Sequence, residues 1–200
     1  MRRSAISRQR QNRQHVIDRA QPIFQTARLV VCPRTLGDTD ACIAMDREPG
    51  VVRFVPQILR LVGGPSADPI AHRRFTENRA RGPYPPGLGY WTVCRSASKH
   101  EFLGWIALIP LDAAGPEIEI GWRLRSSVWG QGIATEGASA VLRYAMNDLQ
   151  LPEIISHIQP ANVASMRVAE KIGLRLRATI YLHGENRVHF ALTREEYLKS

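Results

Sequence analysis

Three apolar segments with short turns between them lead directly into a glycine-containing loop and then into an amphipathic helix. The segments cover residues 90–95, 102–110 and 117–124, and the third alternates between polar and apolar residues at its start. Such segments predict three strands of an antiparallel meander. The helix predicted for residues 132–148 has its apolar side chains on one face. The sequence therefore predicts a domain in which strands and helices pack together.

The remaining elements are predicted from turn signals and apolar patterns. Further strands are predicted over residues 26–33, 154–159, 174–182 and 187–193. Further helices are predicted over residues 38–46, 50–59, 69–80 and 162–172. Loops or turns are predicted over residues 61–68, 96–100 and 184–186. Gly121 lies inside the third strand of the meander, where a glycine indicates a β-bulge or a close approach of another backbone.

The composition suits one globular domain, since the chain has 200 residues of which 44% are hydrophobic. No apolar run reaches the length of about eighteen residues that a membrane span needs. The basic N-terminus has no apolar segment behind it, which argues against a secretory signal. Three cysteines, Cys32, Cys42 and Cys94, include no CxxC pair, so we expect neither a disulfide framework nor a zinc site. The expected compartment is a reducing cytoplasm.

The positive charge is concentrated at the N-terminus. Residues 1–19 contain six arginines against one acid, Asp18, and so carry a net charge of +5 out of the +9 of the whole chain. We expect this segment to be a flexible basic tail, with the globular domain covering residues 20–200. Such a tail is also suited to weak contact with RNA or a ribosome. The smaller surplus in the domain suits a polyanionic ligand.

The loop from Val128 to Glu136 has the residues expected of a phosphate site. Gly130, Gly132 and the small Ala134 allow a ligand to approach the backbone closely. The helix that follows directs free N–H groups and partial positive charge at the same place, which predicts a phosphate cradle. A plain tight turn would contain the same glycines. The loop matches neither GxxxxGK[ST] nor GxGxxG, which excludes a P-loop and disfavours a Rossmann site.

Three motifs together resemble the GNAT acetyltransferase superfamily. They are Glu119-Ile120-Gly121-Trp122, Trp129-Gly130-Gln131-Gly132-Ile133-Ala134-Thr135-Glu136 and Asn162-Val163-Ala164-Ser165-Met166-Arg167-Val168-Ala169-Glu170-Lys171-Ile172-Gly173. The earlier Thr26-Ala27-Arg28-Leu29 and Val51-Val52-Arg53-Phe54 resemble the ribosomal-protein-alanine acetyltransferase branch of it. The resemblance implies a single α/β (α+β) domain, with helices flanking a mixed central sheet of about seven strands. It also implies that the sheet is splayed between its fourth and fifth strands, where acetyl-CoA binds as co-substrate without a metal.

The resemblance also implies which residues hold acetyl-CoA. Backbone groups of Trp122, Arg123 and Leu124 would pair with the pantetheine arm, and Asn162 would hydrogen-bond the same arm. Ser165 is also expected to contact acetyl-CoA. The backbone N–H groups that would hold the pyrophosphate belong to Trp129, Gly130, Gln131, Gly132, Ile133, Ala134 and Thr135. Some branches have arginine or glutamine at the first position of this loop, where this chain has Trp129.

Two polar residues are the candidates for catalysis. Glu119 would take the proton of the attacking amine, directly or through water, although a glutamate on a half-exposed strand is often simply solvated. The resemblance makes Ser165 the general acid for the leaving thiolate, whereas a hydrogen bond to its own helix would explain an inward serine equally well. Asn162 is also explained completely as a helix N-cap. Glu136 is expected to be structural, since the helix dipole favours an acid in the first turn.

Other charged and titratable residues give weaker signals. Arg167 and Lys171 are four residues apart and form a basic stripe, which is either a solvated face or a contact for a CoA phosphate. The six histidines show no metal-ligand spacing such as HxxxH, so we expect no metal site.

The function predicted from the sequence is transfer of an acetyl group from acetyl-CoA to an amine by direct attack. A peptide or protein N-terminal α-amino group is the expected acceptor, because its pKa of about 7.7–8.0 leaves far more neutral amine at pH 7 than the value of about 10.4 for lysine. One alternative acceptor is a small molecule, such as an antibiotic or a polyamine. A different alternative is a catalytically silent module that binds acyl-CoA or a protein. The chain is expected to be a monomer or a homodimer without a membrane partner.

Overall fold

The computed structural model describes residues 20–54, 68–113, 115–182 and 184–200. The predicted basic tail over residues 1–19 lies outside these ranges. The same holds for residues 55–59 of the helix predicted over residues 50–59 and for residues 61–67 of the loop predicted over residues 61–68.

A sheet of eight strands forms the centre of the described part of the chain, in the order β1-β2-β3-β4-β5-β6-β8-β7. The strands are β1 Phe24–Gln25, β2 Leu29–Pro33, β3 Gly89–Arg95, β4 Ser98–Pro110, β5 Ile118–Leu124, β6 Glu153–Ile158, β7 Arg175–Leu182 and β8 Glu185–Thr193. The prediction of about seven strands missed β1, because two residues are too few to show an alternating pattern. The turn predicted over residues 96–100 is also shorter than expected, since β4 already begins at Ser98.

Helices cover both faces of this sheet. They are α1 Thr39–Asp46, α2 Pro49–Val52, α3 Pro69–Arg81, α4 Ile133–Asn147, α5 Val163–Lys171 and α6 Arg194–Leu198. The helices predicted over residues 69–80, 132–148 and 162–172 are confirmed to within one residue at each end. Asp68 caps α3 by accepting hydrogen bonds from the backbone N–H groups of Ile70 and Ala71.

Alternation along β4 divides the apolar side chains between two clusters. Ile106 and Leu108 face the main core, which α4 covers with its predicted apolar side chains, among them Val141. Trp105 and Ala107 point to the opposite face and pack in a smaller cluster with residues of α1 and α2. The elements between β2 and β3 therefore cover one face of the sheet, and α4 covers the other.

The sheet opens at its centre, as the resemblance implies. Strand β5 pairs with β4 along its whole length, but its parallel pairing with β6 has a single register pair, Glu119 with Ile155. Beyond that pair the two strands diverge, so the splay lies between the fifth and sixth strands once β1 is counted. The β-bulge expected at Gly121 is absent from the β4–β5 ladder, whose register runs without a shift. A Cβ atom at Gly121 would instead have open space around it within 4 Å.

Candidate active site

A cleft of about 1130 Å³ lies where β5 and β6 separate. Its walls come from β5, the loop that follows it, the start of α5 and part of α3. The cleft brings together almost all the residues predicted for the site, namely Glu119, Trp122, Arg123, Leu124, Trp129, Gly130, Gly132, Ile133, Ala134, Thr135, Asn162 and Ser165. Residues that are distant in the sequence therefore share one surface.

The glycine loop presents a row of backbone donors to this cleft. Gly130 and Gly132 have φ angles of 73° and 78°, in the left-handed region where a side chain is unfavourable. Among the described residues, no acceptor is found for the N–H groups of residues 130–135. The N–H of Trp129, in contrast, donates to the carbonyl of Ser126 at 3.2 Å. Unpaired N–H groups at the start of α4 form a suitable cradle for an anionic pyrophosphate.

Gln131 is the predicted loop residue whose side chain turns away from the cleft. Its amide nitrogen donates to the carbonyl of Ser127 at 3.1 Å. Its own carbonyl accepts from Nη1 of Arg28 at 2.9 Å. Gln131 therefore fixes the shape of the loop and offers the cleft only its backbone N–H.

Glu136 anchors the start of α4 to the segment just before β2, which confirms its expected structural role. Its carboxylate accepts from the hydroxyl of Thr26, from the backbone N–H of Arg28 at 3.0 Å and from Nε of Arg28 at 2.7 Å. Burial alone would raise the pKa of Glu136, but these hydrogen bonds outweigh burial and lower the pKa. Arg28 was not predicted as a site residue, although it contacts both the loop and α4.

Glu48 braces the other end of the same loop. Its carboxylate accepts from the backbone N–H and the hydroxyl of Ser126, both at 2.7 Å, and from Nε of Arg125 at 3.0 Å. The pKa of Glu48 is lowered because these donors outweigh the effect of burial. This contact links α2, on one side of the cleft, to the turn that leads into the glycines. No sequence signal indicates it, because the partners are 78 residues apart at Ser126.

Trp129 closes the cleft between α2 and the end of β5. Its indole nitrogen donates to the carbonyl of Leu124 at 2.9 Å. Its ring lies over Gly50, where an added Cβ would come within 3.2 Å of a ring carbon. Trp129, which stands where some branches of the family have arginine or glutamine, therefore has a structural role. Its indole also occupies the carbonyl of Leu124, which the family resemblance assigns to the pantetheine arm.

Asn162 and Ser165 lie together at the start of α5. The side-chain oxygen of Asn162 accepts from the backbone N–H of Ser165 at 3.1 Å, as expected of an N-cap. The hydroxyl of Ser165 does not bond to its own helix but accepts from the indole nitrogen of Trp122 at 3.3 Å. A hydroxyl that accepts one hydrogen bond still has its own proton to donate. Ser165 is therefore placed to give a proton to an atom in the cleft.

Glu119 lies at the point where β5 leaves β6. Its Oε1 atom accepts from the backbone N–H of His157 at 3.0 Å, and Nδ1 of the same histidine is 3.7 Å away. The side chain is 26% exposed, so a substrate in the cleft can reach it. Nε2 of His157 is in turn 3.0 Å from Nδ1 of His189. Burial, followed by the neighbouring His189, lowers the pKa of His157, so this ring is neutral at pH 7. No sequence pattern indicates this histidine pair, since its members are 32 residues apart.

The side chain of Arg123 connects β5 to the helices on the other side of the cleft. Its Nη1 donates to Asp46 of α1 at 2.6 Å, and its guanidinium lies 4.8 Å from the ring centroid of Trp105. Asp46 is also 3.1 Å from Nε2 of the fully buried His72 of α3. Burial alone would raise the pKa of Asp46, but the hydrogen bonds from His72 and Arg123 lower it.

The charged residues that line the cleft are mainly basic. Among the described residues the acids are Asp112 and Glu119, and the bases are Arg53, Arg79, Arg123, Arg167, Lys171 and Arg187. The predicted basic stripe of Arg167 and Lys171 thus faces the cleft. The described ranges contain no cluster of three or more metal-ligating side chains suited to a metal ion. Within the same ranges, no helix has both the length and the apolar character needed to cross a membrane.

Comparisons with known proteins identify the family. Residues 28–175 match the sequence profile described as the Acetyltransferase (GNAT) domain. An Aspergillus fumigatus protein named FsC-acetyl coenzyme A-N(2)-transacetylase is 30% identical over 196 residues, and the alignment covers 90% of this chain and 80% of that protein.

Solved structures show the same fold. A GNAT-family acetyltransferase from Bacillus anthracis superposes with a TM-score of 0.70 at 23% identity, covering 88% of this chain and 100% of that one. A Vibrio cholerae protein assigned as a ribosomal-protein-serine acetyltransferase superposes with a TM-score of 0.65 at 13% identity, covering 88% and 99%. The family match confirms what the three motifs indicated: the chain belongs to the GNAT family and is an acetyl-CoA-dependent N-acetyltransferase.

Proposed function

We propose that this enzyme acetylates the α-amino group of a peptide or protein by direct attack on acetyl-CoA, with Glu119 as general base. The observation that carries the proposal is the position of Glu119 at the apex of the splay. Its carboxylate lies in the same cleft as the unpaired N–H groups of residues 130–135. A cradle for an anion and a reachable base are thus held on one continuous surface.

Acetyl-CoA fits the groups that the cleft presents. The N–H groups of residues 130–135 would hold the pyrophosphate, and the basic side chains of Arg167 and Lys171 lie in the same cleft. Strand β5 pairs with a neighbour on one edge only between Ile120 and Leu124, which leaves its other edge for the pantetheine arm. Trp122 and Arg123 would supply most of that edge, since the Leu124 carbonyl is bonded to Trp129. When bound, acetyl-CoA supplies the activated acetyl group.

Glu119 and Ser165 would move the two protons that the reaction requires. The backbone N–H of His157 holds the Glu119 carboxylate in place, and an Oε atom of Glu119 takes a proton from the attacking amine. The Ser165 hydroxyl, held by the indole of Trp122, donates its proton to the departing sulfur. The exposure of Glu119 favours an enzyme over a silent binding module, for which a buried carboxylate would be expected.

The choice of an α-amino acceptor rests on proton affinity and on charge. An α-amino group with a pKa of about 7.7–8.0 needs less help to lose its proton than a lysine at about 10.4. The surplus of arginine and lysine among the described residues of the cleft disfavours polycationic acceptors such as polyamines.

A small-molecule amine is the second candidate acceptor. The name of the Aspergillus fumigatus relative describes transfer to an N2 nitrogen of FsC. That relative aligns with 90% of this chain, so an amine of similar chemistry deserves a direct test. The GNAT fold itself does not choose between the two candidates.

A competition assay with mass spectrometry would separate these acceptors. The purified chain is incubated with acetyl-CoA and a mixture of four acceptors. These are a peptide library with free α-amino groups, the same library with blocked N-termini but free internal lysines, spermidine, and FsC itself. We expect acetylation at the α-amino groups. Acetylation confined to internal lysines or to the small molecules would refute the peptide proposal, and thiol release from none of them would favour the silent module.

A further inference from the structure

Two histidines on neighbouring strands lie directly behind Glu119. His157 of β6 and His189 of β8 are opposite each other in the antiparallel register. Nε2 of His157 is 3.0 Å from Nδ1 of His189, and the ring centroids are 5.0 Å apart. At this distance one ring must donate a hydrogen bond to the other. The two imidazoles therefore form a short chain that begins at the general base.

The inner end of this chain faces the carboxylate. Nδ1 of His157 is buried and has no hydrogen-bond partner among the described residues, and its side chain is only 7% exposed. Oε1 of Glu119 lies 3.7 Å from this nitrogen, about 0.5 Å beyond the usual limit of about 3.2 Å for an N–H···O bond. A buried polar atom without a partner is costly, so its position beside the base needs an explanation.

The surroundings keep His157 neutral and able to accept a proton. Burial and the nearby His189 lower its pKa, and so does Arg187, whereas the two carboxylates of Glu117 and Asp112 act in the opposite direction. The charged or titratable groups that face His157 from the packed elements are Glu119, Glu117, Asp112, Arg187 and His189.

We propose that His157 and His189 form a proton relay that carries the amine proton from Glu119 to solvent. The proposal rests on the role of Glu119 as the base. Glu119 passes the proton to Nδ1 of His157, and the proton on Nε2 of His157 moves to Nδ1 of His189. His189 then releases the proton on its Nε2 to water. One proton enters, one leaves and both rings end neutral in the opposite tautomer. After the products have left, Nδ1 of His157 returns its proton through Glu119 to water in the open cleft while His189 takes up a proton from solvent and passes one to Nε2 of His157, which restores both starting tautomers.

The geometry makes His157 a relay rather than the base itself. Its Nδ1 is buried, so an amine in the cleft would meet the 26% exposed carboxylate of Glu119 first. His189 is only partly buried, which gives the outer end of the chain a route to water. The carboxylate can thus be returned to its charged form without releasing its proton into a cleft occupied by both substrates.

The test uses four substitutions in the full chain. His157→Gln and His189→Gln keep a polar side chain but cannot pass a proton, and each is expected to lower kcat by about 10-fold, less than the loss of about 10²–10⁴-fold for removing a general base. The KM for acetyl-CoA should change little. In His189→Ala, added imidazole should restore much of kcat in proportion to its concentration, and the pH profile of kcat should change with the buffer base. Arg175→Gln, an exposed change on β7 outside the cleft, keeps both imidazoles and should gain no such rescue.

The outcomes separate this proposal from that for Glu119. Lower thermal stability with an unchanged kcat, an unchanged pH profile and no imidazole rescue would show that the pair is structural, and would overturn the relay. If Glu119→Gln also keeps the wild-type rate, the base assignment itself fails. If Glu119→Gln is inactive while the histidine variants are fully active, only the relay fails.

Discussion

The guanidinium of Arg28 donates to the carbonyl of Gln131 at 2.9 Å and thereby ties the start of β2 to the glycine loop. The same side chain pairs with Glu136 in the first turn of α4 at 2.7 Å. One arginine therefore fixes both the loop and the helix whose N–H groups face the cleft. Its contribution to the loop can be measured without touching any group that would contact acetyl-CoA.

Replacing Arg28 by methionine is expected to raise the KM for acetyl-CoA about 10-fold, with a smaller change in kcat. The loss of charge-assisted hydrogen bonds worth about 1.5–3 kcal/mol would let the loop relax from the shape that aligns its donors. Arg175→Met is the matched control, since Arg175 lies on the exposed strand β7 and pairs with Glu196 of α6. Steady-state kinetics measures both variants, and equal KM values would show that the loop keeps its shape without Arg28.

Replacing Gly132 by leucine should abolish acetyl-CoA binding in a folded protein. Its φ of 78° makes any side chain unfavourable by about 1–2 kcal/mol, and a Cβ would approach Nη2 of Arg28 to 3.4 Å. Gly184→Leu is the control, because Gly184 has a φ of 83° in the β7–β8 turn and a Cβ atom added there would meet no described atom within 4 Å. Calorimetric titration should show binding in the control alone, and retained affinity in Gly132→Leu would exclude the loop as the pyrophosphate site.

Replacing Glu119 by glutamine is expected to lower kcat by about 10²–10⁴-fold and to leave acetyl-CoA affinity nearly unchanged, because the amine proton loses its acceptor. Ser165→Ala is the parallel test of the proposed acid and should lower kcat as well. Glu153→Gln, an exposed change at the start of β6, serves as the control. Single-turnover kinetics would show the effect on chemistry, and a wild-type rate in Glu119→Gln would remove this residue from the mechanism.

Replacing Asp46 by asparagine should destabilise the fold by about 3 kcal/mol at pH 7, because the charge of Arg123 would lose a partner that is only 4% exposed. The folded state lowers the pKa of Asp46 below its ordinary value of 3.8, so this stabilisation is present above that value and is lost as the pH falls through the lower pKa of the folded state. Urea denaturation from pH 7 to about pH 2 should show this loss below pH 3.8 in the wild type and a flatter dependence in Asp46→Asn. Asp40→Asn, on an exposed part of α1, should resemble the wild type.

Deleting residues 1–19 is expected to leave both thermal stability and acetyl-CoA binding unchanged, because these residues lack an apolar face and carry a net charge of +5. Deleting residues 1–25 should lower Tm by about 5 °C or more, because the indole of Trp91 would lose the Pro22 carbonyl at 2.8 Å and the ring of Phe24. Calorimetric scans of both truncations would check this. A fall in Tm after the shorter deletion would show that the basic tail contributes to the fold.

The elements that the sequence predicted well are those decided by local chemistry. The apolar face of α4, the donors of the glycine loop and the N-cap at Asn162 depend on residues a few positions apart. The family motifs also located the splay and most residues of the cleft. Strand β1 was missed because its two residues acquire a pattern only through pairing with β2. Of the two interpretations given for Gly121, the β-bulge was wrong, since this glycine leaves space in the cleft and does not interrupt the ladder.

The sequence by itself determined the fold family, the co-substrate and the candidates Glu119 and Ser165, because each belongs to a short motif. Only the tertiary structure decided which side chains support them. Arg28 meets Glu136 across 108 residues, Glu48 meets Arg125 across 77, and His157 meets His189 across 32. Such contacts depend on the order of the strands and on the register between them, in particular the insertion of β8 beside β6. No local pattern carries that information, since hydrogen bonds between distant segments form only once the whole sheet is assembled.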